Sequence, residues 1–164
     1  MAEKKKKQNL ESLKKDYKKI QKKYNLPDFR KLNEDFYIEK ISETETDYLV
    51  REVRKFMSEK FSHYLRLVEA ILNPTNVPMF VFSIVKIITK EEKDKLVEVY
   101  KKLSKIEVEL LEIDLYFSEK KEADFINQSY KIWLEIKGDM QMVVEVIKKN
   151  WDNKSESIGK GYFG

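Results

Sequence analysis

Seven apolar residues, Leu96, Val99, Leu103, Ile106, Leu110, Ile113 and Phe117, follow one another at intervals of three and four. That rhythm is the turn of an α-helix, because strand side chains alternate faces with a period of two. It predicts a helix over about 90–117 whose stripe persists for three heptads. Val97, Tyr100, Val108, Leu111 and Leu115 widen the stripe beyond the seam of a two-stranded coiled coil. A wide stripe predicts packing against several neighbours inside a bundle. The start is also marked: in "TKEE" (89–92), Thr89 can accept from the backbone N–H of Glu92, whose carboxylate can reach back.

The same reasoning reads most of the remaining chain as helix. In "LESLKKDYKKIQKKY", Leu10, Leu13, Tyr17, Ile20 and Tyr24 form a narrow stripe on a helix over 8–24. A short helix near 27–36 follows, with Pro27 suited to its first turn and Asp28 to its positive N-terminus. "SETE" (42–45) reads as a capping box opening a helix to about 72. Its core face carries Val50, Val53, Met57, Phe61, Tyr64, Val68 and Ile71. "NPTNVP" then breaks the chain, since Pro74 and Pro78 each disfavour helix at the preceding residue. The β-branched segment 78–88 suits a strand or a helix by composition. A lone strand would leave both edges unpaired, so it is read as a buried helix; if exposed, it becomes a candidate protein interface. Ser118 caps a last helical region, 119–151, with Ile126, Tyr130, Trp133, Met140, Val144, Ile147 and Trp151 on one side. "KGD" (137–139) is placed to split or kink it. The predicted fold class is all-α: a single helical bundle of four to five main helices over 8–152. A basic flexible tail (1–7) precedes it and a glycine-rich flexible tail (153–164) follows.

Composition narrows function more by exclusion than by indication. The 164 residues suffice for one domain with a sizeable core. Charged residues reach 38%, against a usual share of roughly a quarter, as expected of helices with charged outer faces. Cysteine is absent, which removes disulfides, thiolate catalysis and Cys-based zinc sites. His63 is the one histidine, so no multi-histidine metal site can form. No apolar h-region follows the charged start, and the longest apolar run, 77–88, is too short to span a bilayer. A soluble, cytoplasmic protein is expected, with no cofactor.

Two stretches, "LPDFRKLNEDFYIEKI" (26–41) and "REVRKFMSEKFSHYLRLVEAILNP" (51–74) with the later "FINQSYKIWLEIK" (125–137), resemble uncharacterised all-helical proteins of archaea. The resemblance implies an archaeal origin and a helical fold, and carries no functional residue.

Candidate chemistry is sparse. Glu59 and His63 stand one turn apart, but the Glu-x-x-x-His spacing differs from the Glu-x-x-His of di-iron bundles and has no second copy. His63 is therefore read as an ordinary boundary residue. Glu107, Glu109, Glu112 and Asp114 spread around their helix and read as a solvated surface. "GKGYFG" (159–164) lacks the spacing of a phosphate-binding loop. It is either disordered or a docking tail in which Tyr162 and Phe163 insert into a partner.

The lysines near the start carry the one positive indication. Residues 1–24 hold ten lysines against Glu3, Glu11 and Asp16, a net +7, so the remaining 140 residues carry −3 of the overall +4. Lys4, Lys5, Lys6, Lys7, Lys14, Lys15, Lys18, Lys19, Lys22 and Lys23 could contact the phosphates of RNA or DNA without reading sequence. Equally, they could be no more than a solvated face. The chain is thus expected to be non-enzymatic, a macromolecule-binding adaptor or small subunit of a larger assembly whose partner is another protein. The alternative is a sequence-nonspecific nucleic-acid-binding protein. Membrane insertion and an enzymatic activity are not expected.

Overall fold

A computed structural model describes the backbone of residues 2–161 and the side chains of residues 9–149. The described residues form no strand. They contain six α-helices: α1 (Ala2–Tyr24), α2 (Phe29–Phe36), α3 (Leu49–Leu72), α4 (Met79–Val85), α5 (Lys90–Leu115) and α6 (Glu119–Gly161). A 3₁₀ helix, Ile38–Glu43, lies between α2 and α3. The chain is all-helical, as its periodicity requires. Four of the α-helices exceed 20 residues: α1, α3, α5 and α6 with 23, 24, 26 and 43. The region expected to form one bundle divides into two compact units, Met1–His63 with Lys105–Ile132, and Tyr64–Ser104 with Trp133–Gly164.

In the first unit, Tyr17 anchors α1: its ring is buried, meets Phe29 edge-on at 5.3 Å, and its hydroxyl donates to the Pro27 carbonyl at 2.6 Å. Leu13 is buried beside it, while Leu10, Ile20 and Tyr24 are half-buried, so the narrow stripe does dock. Asp28 caps α2 by accepting from the Arg30 N–H at 2.9 Å. Phe36 and Phe61 meet edge-on at 5.5 Å, joining α2 to α3. Val50, Val53, Met57 and Phe61 fill the same core from α3, and Ile106, Leu110 and Ile113 from α5.

The capping box expected at 42–45 does not form. Ile38 and Ile41 are buried, and drawing both inward winds 38–43 into the 3₁₀ helix, where the Ser42 hydroxyl donates to the Glu39 carbonyl at 2.7 Å. Ser42 thus lies inside the 3₁₀ helix and does not stand at the start of α3. Asn33 fixes the turn, accepting from the Glu39 N–H at 2.8 Å. The helix opens later at Leu49, and the Thr46 hydroxyl accepts from the Tyr48 N–H at 3.0 Å just before it.

In the second unit, Val68 and Ile71 of α3, Leu96, Val99 and Leu103 of α5, and Trp133, Ile136, Met140 and Val143 of α6 are buried. Here the second capping box is present: Thr89 N–H donates to Glu92 at 2.8 Å and Glu92 N–H to the Thr89 hydroxyl at 3.2 Å. Segment 78–88 does contain a helix, α4, but only one side is buried. Val81 and Ile84 point inward, whereas Met79, Phe80 and Phe82 are exposed. Residues "KGD" do not split α6, which runs on through Gly138. Val144, expected in the core, is 38% exposed, and Val143 takes the inward position.

Candidate functional site

The lysines whose side chains are described, Lys14, Lys15, Lys18, Lys19, Lys22 and Lys23, are all exposed on α1. The side chains of Lys4 to Lys7, and residues Tyr162 and Phe163, lie outside the described residues. Three lysines are engaged within the chain. Lys19 pairs with Asp16 at 2.7 Å, Lys14 sits 5.9 Å from the Phe29 ring centre, and Lys23 pairs with Glu119 at 3.1 Å. The Tyr24 hydroxyl donates to the same Glu119 oxygen at 2.6 Å. Tyr24 first, and Lys23 second, hold the Glu119 carboxyl below the usual carboxylate range. That contribution to the fold is present above the ordinary glutamate pKa and lost as pH falls through the lowered one. Lys15, Lys18 and Lys22 remain, spaced i, i+3 and i+7 on the face opposite Tyr17, with no partner among the described residues.

No metal centre emerges among the described residues. His63 is exposed and so is Glu59. No group of three or more His, Asp and Glu side chains is placed to hold a metal ion. Of the α5 acids, Glu112 and Asp114 have side chains 71% and 62% exposed, while Glu107 accepts from the Ser62 hydroxyl at 3.1 Å. An open cleft of about 690 Å³ lies between α1 and residues 41–49, lined by Asp16, Lys19 and the polar run from Ser42 to Asp47. It is an acidic, hydroxyl-rich groove without a buried titratable group at its floor. No helix among the described residues is long and apolar enough to cross a membrane.

What stands out is the far side of α5 within the first unit. Val108, Leu111 and Leu115 do not widen the core stripe, as their spacing suggested. They are 65%, 65% and 73% exposed, and form a second apolar stripe directed away from Ile106, Leu110 and Ile113. Tyr116 and Phe117 follow in the chain, exposed as well, and Phe117 is not the last core position of the heptad pattern. The Phe117 ring meets Tyr48 edge-on at 5.6 Å.

Beneath these rings is a charged cluster built from α3 and α6. Glu122, 1% exposed, accepts from Arg51 Nε at 3.0 Å, and its same oxygen lies 3.7 Å from Arg54 Nε. Arg54, 7% exposed, reaches Asp114 with Nη2 at 3.2 Å. Glu122 Oε2 and Arg54 Nε are buried with no hydrogen-bond partner among the described residues. Arg51 lies with its guanidinium carbon 4.2 Å from the Phe117 ring centre and 5.8 Å from that of Tyr48. Reading the sequence alone missed this assembly. Its one outward signal is that two of only four arginines, Arg51 and Arg54, stand three residues apart and so share a helix face.

Compared with known protein families, with curated proteins and with solved structures, the chain matches none.

Proposed function

We propose that the chain is a non-enzymatic protein-binding module, an adaptor or small subunit of a larger assembly, and that it binds through the outer face of α5 and the aromatic residues after it. The observation that supports this is the exposure of Val108, Leu111, Leu115, Tyr116, Phe117 and Tyr48 within one unit of the chain. Single exposed apolar residues are ordinary, whereas a stripe at helical spacing leading into three aromatic rings marks an interaction surface. Tyrosine and arginine are also the side chains enriched where binding energy concentrates. The test is native co-purification from the source cells, with nuclease, comparing the wild-type chain with Leu115→Asp. A protein recovered with the wild type and lost with Leu115→Asp is expected. Equal recovery with both, or recovery of the chain alone, refutes the reading.

Lys15, Lys18 and Lys22 favour a second reading, in which α1 grips the phosphates of RNA or DNA. Three neutralised phosphates contribute about −2 to −3 to the slope of log K against log salt. Replacing the three lysines by Gln should remove that much of the slope for a duplex or single-stranded probe. No binding at low salt, or an unchanged slope, eliminates this reading.

A further inference from the structure

We propose that the partner brings a carboxylate to Arg51: the occupant is an amphipathic protein helix whose apolar face carries one Asp or Glu. The inference rests on the protein-binding reading above and names the chemistry that reading requires. Arg51 spends Nε on Glu122 at 3.0 Å, and its terminal nitrogens have no acceptor among the described residues. Its side chain keeps 33% of its exposure to solvent. Because the guanidinium stacks on Phe117, any partner that covers Phe117 and Tyr48 covers Arg51 too. A purely apolar partner would exclude solvent and leave a charged donor pair unmet, which costs more than the apolar contact gains.

Charge points the same way. The buried part of the cluster holds Arg54 and most of Arg51 against a single buried carboxylate, Glu122, since Asp114 is 62% exposed. Asp114 answers Arg54, so Arg51, which shares Glu122 with Arg54, is the guanidinium left with an unmet side when the face is covered. A planar carboxylate meets the two terminal nitrogens of a guanidinium with paired hydrogen bonds, a geometry that Glu122 and the Phe117 ring have already fixed on this side. The stripe on α5 sets the remainder of the occupant, because apolar residues at intervals of three and four pack best against another helix with the same spacing.

The experiment selects a displayed library of random 20-residue peptides on the full-length wild-type chain, and measures binding of the selected peptides by fluorescence anisotropy. The expected peptides have apolar residues at intervals of three and four and an acid at one fixed position. Changing that acid to Gln or Asn should weaken binding by about 30-fold or more, as truncation of a desolvated charge pair does. Arg51→Lys should weaken the parent peptide to a similar degree, and the two changes together should weaken it little further. The peptide substitution leaves the chain untouched, so the result does not depend on how Arg51→Lys folds. Peptides that need Leu115 but are indifferent both to loss of their acid and to Arg51→Lys overturn this inference and leave the protein-binding reading standing. A selection yielding nothing sensitive to Leu115→Asp overturns the reading itself. A wild-type chain that sediments as a dimer, and as a monomer with Leu115→Asp, makes a second copy the occupant and overturns the proposal.

Discussion

Replacing Glu122 by Gln should cost about 3 kcal/mol of stability, and the figure follows from what each arginine retains. Glu122 is 1% exposed and serves two guanidiniums through one oxygen, Arg51 at 3.0 Å and Arg54 at 3.7 Å. Removing one partner of a buried ion pair costs roughly 3–5 kcal/mol, because the stranded charge stays desolvated. The lower end applies here. Arg51 recovers some hydration through its 33% exposure, and Arg54 keeps Asp114 at 3.2 Å. A glutamine also places an amide N–H₂ where one carboxylate oxygen already lacks a partner. Against a total of about 5–15 kcal/mol, such a loss is large, and it corresponds to a fall in Tm of roughly 6–12 °C for a chain of this size. Urea unfolding followed by far-UV circular dichroism at pH 7 measures it, once at low salt and once at about 0.5 M. A buried pair is screened little, so the loss should survive the added salt. A loss under about 1 kcal/mol, or one abolished by salt, refutes the argument, because that is how exposed pairs behave. A further arm probes the cause. If the penalty is stranded charge, the triple variant Arg51→Met, Arg54→Leu, Glu122→Met should regain most of it, as buried ionic clusters replaced by apolar groups do.

Two further perturbations have signs the structure determines. Tyr17→Phe deletes the hydrogen bond to the Pro27 carbonyl and should cost about 1 kcal/mol at pH 7. Burial first, then the charge of Asp28 and the neighbouring Tyr130, push the Tyr17 phenol above its ordinary value. The fold therefore favours the neutral phenol, and its contribution is complete below the ordinary value near 10 and lost as pH rises through the raised one. The gap between wild type and Tyr17→Phe in urea midpoint should narrow between pH 7 and pH 11; a constant gap counts against the assignment. Gly138→Ala should stabilise the chain by about 0.5–1 kcal/mol, since α6 is helical through this position and an added Cβ meets nothing within 4 Å. A lower Tm for this variant in calorimetry would mean that the glycine serves a bend.

Spacing made the helices legible because backbone propensity, breakers and core stripe agree in most of the chain. It found α2, α4 and the Thr89 start of α5, where local chemistry and tertiary packing ask for the same thing. It failed at Ser42, where burial of Ile38 and Ile41 outweighs one cap, worth only about 1 kcal/mol. At Gly138 the residue lies in an exposed helix interior and costs too little to end a 43-residue helix. The arginine cluster was illegible for a different reason: Arg51, Arg54 and Glu122 meet across about 70 residues of sequence, and no short-range pattern records that meeting.

The sharpest failure concerns Leu110 and Leu111, and it yields the most discriminating comparison. Both are leucines in mid-helix, one residue apart, and a stripe read as wide takes in both. Yet consecutive residues on a helix are separated by about 100°, so a stripe that includes both is either very broad or is two stripes. The second holds here: Leu110 is 6% exposed and Leu111 is 65%. Leu110→Ala should therefore cost about 2–5 kcal/mol through lost burial and the cavity left behind. Leu111→Ala should stay within about 0.5 kcal/mol of wild type. Equal losses for the two in urea unfolding would mean that α5 is buried all round, and the outer stripe would cease to be a docking face. A large difference leaves Leu111 with no role in holding the chain together, and Val108 and Leu115 share its exposure on the same stripe. Their apolar character is then surplus to folding, which is the property a binding surface requires.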